Sequence, residues 1–334
     1  MVSVIFYFQL HHPCLLHPER DKFLWDERNR EFFADRAARC YLPAIRMLAE
    51  LVGRCPEFKA AVSVSGTFLD QAELYRSEVI RALQDLLDAG RDGARVEFLD
   101  ETHYHSLAGL FEDPRKQEFR DQVSLHRDRL AKHFGTRPTS FCNTDLICNR
   151  DIAAVVADMG YTAMLCEIPA LGAAGRVCRA AGSNLLVIPR NRELSDAIGA
   201  CSAQGEPGPR AYLGRIAAED EGVLLLGYNV ETLGAPGAGG PGIHDFWRGL
   251  AEALPEFPGI EVVTPAELAR SVKADGCPVL EIPPPAADGA AMEAQTGGWI
   301  DDPAQLDLFR DIEKMEEIAR KAGGELLTHW RHLT

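Results

Sequence analysis

Short apolar, β-branched or aromatic runs punctuate the chain at residues 4–8, 61–64, 96–99, 139–142, 163–166, 185–188, 223–227 and 260–263. Each is strand-length, and most lack the polar alternation of a half-exposed strand, which suits a sheet covered on both faces. Between most of them lie amphipathic stretches with helical period. One spans 32–52 and puts Leu42, Ile45, Leu48, Ala49 and Val52 on a single face; others span 71–89, 117–133 and 151–159. Strands alternating with helices predict a parallel sheet joined by right-handed crossovers. The number of units within residues 1–265 suits a closed α/β barrel better than an open sheet.

Beyond residue 265 the pattern changes. A short helix is expected over 266–273, then a Pro- and Gly-rich connector over 278–298, then a charged amphipathic helix over 303–322 stopped by Gly323 and Gly324. Residues 266–334 therefore read as a C-terminal helical region packed on the barrel. A second low-complexity stretch, 234–242, reads as a flexible rim loop.

Charge narrows the partners. A formal net charge of −15 disfavours phosphate backbones and anionic membranes, which need basic surfaces, and leaves neutral polyols compatible. No stretch reaches the roughly 18 apolar residues that would span a bilayer. The run at 1–8 reads as a first strand, with no basic segment ahead of it, so the expected location is the cytoplasm. The cysteine count is nine, with no Cys-x-x-Cys spacing; free, mostly buried thiols are expected, not a secreted disulfide framework. The oligomeric state stays open.

The polar residues just after each run form a series. The first strand delivers Gln9, His11 and His12; the second Ser65, Thr67, Asp70 and Gln71; the third Asp100, Glu101, His103 and His105. The fourth delivers Asn143 and Asp145, the fifth Glu167, the sixth Arg190 and Asn191, and the seventh Asn229 and Glu231. In an α/β barrel the C-terminal strand ends carry the site. Carboxylates, imidazoles and amides converging on one rim are what a polar ligand cleft needs.

Several of these stretches together resemble glycoside hydrolase family 57, the α-amylase and 4-α-glucanotransferase family, over nearly the whole chain. The run from Phe8 through Gln9, Leu10, His11 and His12 to Pro13 is similar to the family's first motif, and Gly66 to Gln71 to its second. Glu97 to Ser106 resembles the stretch that precedes the nucleophile in the α-amylase-like branch. Asn143, Thr144, Asp145, Leu146 and Ile147 stand where that branch has Asn-Thr-Glu-Leu; Arg190 to Asp196 and Leu327 to Trp330 also have counterparts. The resemblance implies a distorted (β/α)7-type barrel followed by C-terminal helices, acting on α-glucans with retention and without a metal or other cofactor. The run at 260–263 would then be an extra strand. It also implies that His11, His12, Glu101, His105 and Arg190 contact sugar or orient the catalytic pair.

That pair is altered. The family's Glu nucleophile is Asp145 here, and its Asp acid is Asn229. Retaining hydrolysis needs two carboxyl groups about 5–5.5 Å apart across the scissile bond. Asp145 keeps the charge but withdraws its oxygens by one methylene. Asn229 has no proton to give a leaving group near neutral pH. Where the family usually continues Phe-Gly-Glu-His, the chain has Leu233, Gly234, Ala235 and Pro236. The first expectation is thus an α-glucan or oligosaccharide binder with hydrolysis lost or very weak. A second is an active hydrolase or glucanotransferase in which Glu231 replaces the acid. It requires the chain to stay extended from Asn229, so that residues two apart share a face. A third, of another class, is a metal-binding barrel built on Cys14, Cys142, Cys148 and Cys166 with His11 and His12, although their spacing matches no metal-site pattern. Trp25, Trp247 and Trp299 are candidate sugar-stacking platforms or packed aromatics, and His126, His133 and His244 are expected at the surface.

Overall fold

The first strand shows how the barrel is layered. In β1 (Val2–Leu10), Val4, Phe6 and Phe8 join one apolar cluster while Ile5 and Tyr7 join another. This is the period-two division of a strand with a covered outer face and a packed interior. The structure is a computed structural model that describes residues 1–19, 22–91, 94–168, 176–204, 208–219, 222–233, 242–272, 276–282, 284, 300 and 302–334.

The remaining strands are β2 (Ala60–Val64), β3 (Val96–Leu99), β4 (Ser140–Cys142), β5 (Ala163–Cys166), β6 (Cys178–Ala180), β7 (Leu186–Pro189), β8 (Gly222–Asn229), β9 (Ile260–Val262) and β10 (Val279–Leu280). Parallel pairing runs β3–β2–β1–β8 in one sheet and β4–β5–β7 in the other. Two single-residue parallel bridges, Asp100 with Phe141 and Arg190 with Leu225, join the sheets. Seven strands thus close into a ring: a parallel (β/α)7 barrel, distorted at the two seams where pairing thins to one residue. β9 pairs with the lower half of β1, Val2 to Val4, below the point where β2 takes over. It is the extra strand expected at 260–263. β6 and β10, two or three residues long, form an antiparallel appendage on β7 that the apolar runs did not announce.

The helices are α1 (Asp26–Arg36), α2 (Leu42–Arg54), α3 (Gly66–Tyr75), α4 (Glu78–Ala89), α5 (Gln117–Phe134), α6 (Arg150–Asp158), α7 (Arg192–Gln204), α8 (Pro209–Ala217), α9 (Ile243–Ala253), α10 (Pro265–Ser271), α11 (Pro303–Lys314), α12 (Glu316–Ala322) and α13 (Gly324–Arg331). Three sequence expectations needed correction. The stretch 32–52 is interrupted by a π turn, Ala37–Tyr41, and 71–89 is divided between α3 and α4 at Arg76, whose backbone leaves the helical region. The chain also does not end its helices at Gly323: both glycines adopt positive φ, and α13 follows. Most of the 278–298 connector, residues 234–241 of the expected rim loop with Ala235 and Pro236, and Trp299 lie outside the described residues.

Two outer cores flank the barrel interior. One gathers β1, β2 and β8 against α2, α4 and α9; the other gathers β4 and β5 against α5, α6 and the C-terminal helices through Phe309, Ala319 and Trp330. Among the described residues no helix is long and apolar enough to cross a membrane.

Candidate active site

Asp145 stands on a turn that the local sequence pins. Leu146 N–H donates to the Asn143 carbonyl at 2.9 Å, Ile147 N–H to the Thr144 carbonyl at 2.9 Å, and the Asn143 amide to the Ile147 carbonyl at 3.0 Å. Thr144 Oγ1 donates to the Ser106 carbonyl at 2.7 Å. Held this way, Asp145 (φ 45°) and Leu146 (φ 60°) adopt left-handed backbone, as does His105 (φ 53°). Left-handed non-glycine residues cost roughly 1–2 kcal/mol each. Three of them in one contact mark a segment over-determined by its surroundings, as functional turns often are.

His105 links two carboxylates. Its Nδ1 lies 2.9 Å from Glu101 Oε2 and its Nε2 lies 3.6 Å from Asp145 Oδ1. Both are acceptors when ionised, so both ring nitrogens carry protons. Burial alone would lower the imidazole pKa, but the hydrogen bonds and charges of Asp145 and Glu101 outweigh it and raise His105 to about 9. His11 stacks on this ring at 4.1 Å and bonds Ser65 Oγ at 2.9 Å. Burial, then the His105 charge, pushes His11 down to about 2. One of the stacked rings is therefore cationic and the other neutral near pH 7.

Asp145 and Asn229 line the same cavity, about 250 Å³, together with Tyr7, Gln9, Glu167 and Arg190. Tyr7 and Gln9 are one strand repeat apart on β1, so the period-two pattern that carries Gln9 to the rim also carries Tyr7 beneath it. The sequence reading missed Tyr7, and Tyr228 likewise, because both sit inside apolar runs. Asn229 is committed locally: its side-chain Oδ1 accepts the Glu231 N–H at 2.9 Å, and its backbone carbonyl accepts Thr232 Oγ1 at 2.6 Å. These bonds start a 3-10 turn, Val230–Leu233.

That turn removes the premise on which Glu231 could replace the acid, since the chain does not remain extended after Asn229. Glu231 instead accepts the Tyr41 hydroxyl at 2.6 Å, with His12 Nδ1 2.7 Å from the same hydroxyl and 4.0 Å from the carboxylate. Tyr41 has one proton and gives it to Glu231, so His12 donates from Nδ1. Burial, then the nearby Arg36, keeps His12 neutral, with its pKa down at about 4. His12 is fully buried, and neither it nor Glu231 is among the residues lining the cavity.

Arg190, in contrast, faces the cavity. Its Nη1 donates to Glu167 at 3.1 Å and its Nη2 to Asp196 at 2.8 Å. The Glu167 N–H donates to the Leu146 carbonyl at 2.8 Å, one residue beyond Asp145. His126, expected on the surface, is buried: its Nδ1 is 2.5 Å from Asp100 and its Nε2 is 2.8 Å from the Val64 carbonyl. Its partner is 26 positions away, beyond the reach of a helical-period reading. His133 and His244 are only half-buried, and Trp247 is packed between Phe6, Phe8 and Tyr228. It is a core residue, not a sugar platform. Cys142 is buried, within 3.4 Å of the Tyr7 hydroxyl, and burial pushes its thiol pKa up. Among the described residues no group of three or more His, Cys, Asp or Glu is placed to hold a metal ion, so the cysteine-based reading finds no donor set.

The chain is thus a seven-stranded β/α barrel with a polar cavity at its C-terminal rim. The model of glycosyl hydrolase family 57 matches residues 5–283, and the chain belongs to that family. A Methanocaldococcus jannaschii protein named "Putative alpha-amylase" is 28% identical over 289 residues, 82% of this chain. The chain spans 60% of that relative's length. The fold is similar to the 4-alpha-glucanotransferase of Thermococcus litoralis (TM-score 0.74, 14% identity), covering 99% of this chain and 54% of that one. It is similar also to the alpha-amylase AmyC of Thermotoga maritima (TM-score 0.66, 13% identity), covering 98% and 83%.

Proposed function

We propose that this chain binds an α-glucan or related oligosaccharide at the Asp145–Asn229 cavity and that its hydrolytic activity is lost or very weak. The observation that carries the reading is that the cavity sets the amide of Asn229 with the carboxylate of Asp145, while its other carboxylate, Glu167, is engaged by Arg190. An amide cannot protonate a leaving oxygen. The Asn229 side-chain Oδ1 is already engaged by the Glu231 N–H, so this residue serves as a turn former. On the other side, His105 draws the Asp145 carboxylate toward Glu101. A charge balanced by an imidazolium suits holding a hydroxyl better than attacking an anomeric carbon. The family and the named relatives support α-glucan as the ligand class.

The test pairs binding with reversion. Calorimetric titration of the chain with maltooligosaccharides is expected to show binding without release of reducing sugar. The double variant Asp145→Glu, Asn229→Asp restores the acid and lengthens the nucleophile. It is expected to gain turnover, since a misplaced reacting group of about 1 Å can cost on the order of 100-fold. Efficient hydrolysis by the unmodified chain, or no glucan binding by either form, would sink the proposal.

A further inference from the structure

The Asp145–Asn229 cavity is too small to be the whole site. At about 250 Å³ it falls below the roughly 300–1,000 Å³ typical of small-molecule sites, so an oligosaccharide seated there has to continue into an adjoining space. A cavity of about 670 Å³ adjoins it, and Glu167 and Arg190 line both. These two residues form the shared wall. Strand-end backbone bonds fix them: Glu167 N–H to the Leu146 carbonyl and Arg190 N–H to the Cys166 carbonyl, each 2.8 Å. Their side chains meet at 3.1 Å and are less than one-fifth exposed.

The larger cavity has the chemistry of a neutral polyol site. Three arginines and four carboxylates line it, and each arginine is already paired: Arg190 with Glu167 and Asp196, Arg192 with Glu167, Arg215 with Glu193. A phosphate would have to break these pairs and meet the surplus carboxylate. A sugar hydroxyl can donate to the carboxylates and accept from the guanidinium groups with the pairs intact. Ile168 and Leu194 add apolar surface for the C–H face of a ring.

We propose that this 670 Å³ cavity is a second saccharide subsite, entered across the Glu167–Arg190 pair from the Asp145–Asn229 cavity, so that the chain selects maltooligosaccharides by length. The proposal rests on the α-glucan reading above and adds where the rest of the chain lies. It predicts that affinity rises from maltose through maltotetraose to maltohexaose, because only the longer ligands cross the wall.

Two variants outside the smaller cavity test it. Glu193→Ala with Arg215→Ala removes an ion pair whose members are 86% and 40% exposed, and Ala218→Trp, on an exposed lining position, blocks the space. Calorimetric titration is expected to show maltohexaose affinity falling about tenfold in each, since charged hydrogen bonds to the sugar would be lost or prevented. Maltose affinity is expected to stay unchanged. Equal loss for both ligands, or none for either, overturns the subsite, as does a flat length dependence in the unmodified chain. In each of those outcomes glucan binding, and with it the α-glucan reading, survives. Absence of any maltooligosaccharide binding overturns both.

Discussion

His105 concentrates the electrostatics of the rim in one side chain. It is buried, contacts two carboxylates and is raised to about 9. A group whose pKa is higher folded than unfolded adds stability below its unfolded value, near 6.5, and loses that contribution as pH rises through its folded value. Conformational stability is therefore expected to fall between about pH 6.5 and 9, by an amount on the order of 3 kcal/mol. His105→Gln should flatten that limb in chemical denaturation measured across the interval. A slope as steep in the variant as in the parent would remove His105 as its source. His11 and His12 act in the opposite direction. Their folded values lie near 2 and 4, so each makes the fold less stable as pH drops below about 6.5. A neighbouring glycine sets a steric limit. A Cβ built on Gly66 would sit 2.1 Å from His103 Nδ1, and His103 Nε2 holds Asp70 at 2.9 Å. Gly66→Ala is expected to cost about 1–3 kcal/mol through overpacking, seen as a lower denaturation midpoint. A neutral effect would mean that the histidine moves aside freely.

The strands were legible because parallel strands buried on both faces leave uninterrupted apolar runs, and each of the eight runs corresponds to a strand within a residue or two. The joints between helices were not. The break at Arg76 and the π turn at Ala37–Tyr41 interrupt no hydrophobic period, since tertiary contacts decide them. The candidate site was legible as a list of strand-end residues, but its grouping was not. Glu167 reads in sequence as one station among seven, and only the fold puts it on the wall of the Asp145 cavity; Glu231 reads as equally near and is turned away by the 3-10 turn. The C-terminal helices show the same division. Their amphipathic pattern predicted packing, yet the anchor is specific. Trp330 is 3% exposed and donates its indole N–H to the Ile312 carbonyl at 2.8 Å. Beside it, Arg331 and Arg320 both donate to the buried Glu118 on α5, at 2.7 and 2.6 Å. Trp330→Ala is expected to lower stability by about 3–5 kcal/mol and to expose α11–α13 first to limited proteolysis. Cleavage that begins within the barrel would place the weak point elsewhere.

Closure of the ring depends on two seams, and both touch the functional rim. At the β3–β4 seam, Asp100 N–H donates to the Ser140 carbonyl at 3.1 Å and Cys142 N–H to the Asp100 carbonyl at 2.9 Å. With so little backbone pairing, side chains carry the junction. The fully buried Asp100 carboxylate binds His126 at 2.5 Å, Arg127 at 3.2 Å and the Tyr161 hydroxyl, gathering α5, β3 and the entry to β5. Burial lowers the His126 pKa, but the bond and charge of Asp100 reverse that and raise it. Asp100→Asn keeps the shape and removes the charge. It leaves Arg127 and His126 against a neutral amide in place of the carboxylate. Breaking a buried pair from one side typically costs about 3–5 kcal/mol, and a loss in that range is expected. The same seam leads directly through Cys142 to the turn that carries Asp145. If the network holds the rim as well as the fold, the variant should weaken maltooligosaccharide binding under conditions where it is still fully folded, and amide exchange at Cys142 should accelerate ahead of exchange in β1. Unchanged binding with uniformly faster exchange would mean that Asp100 supports global stability alone.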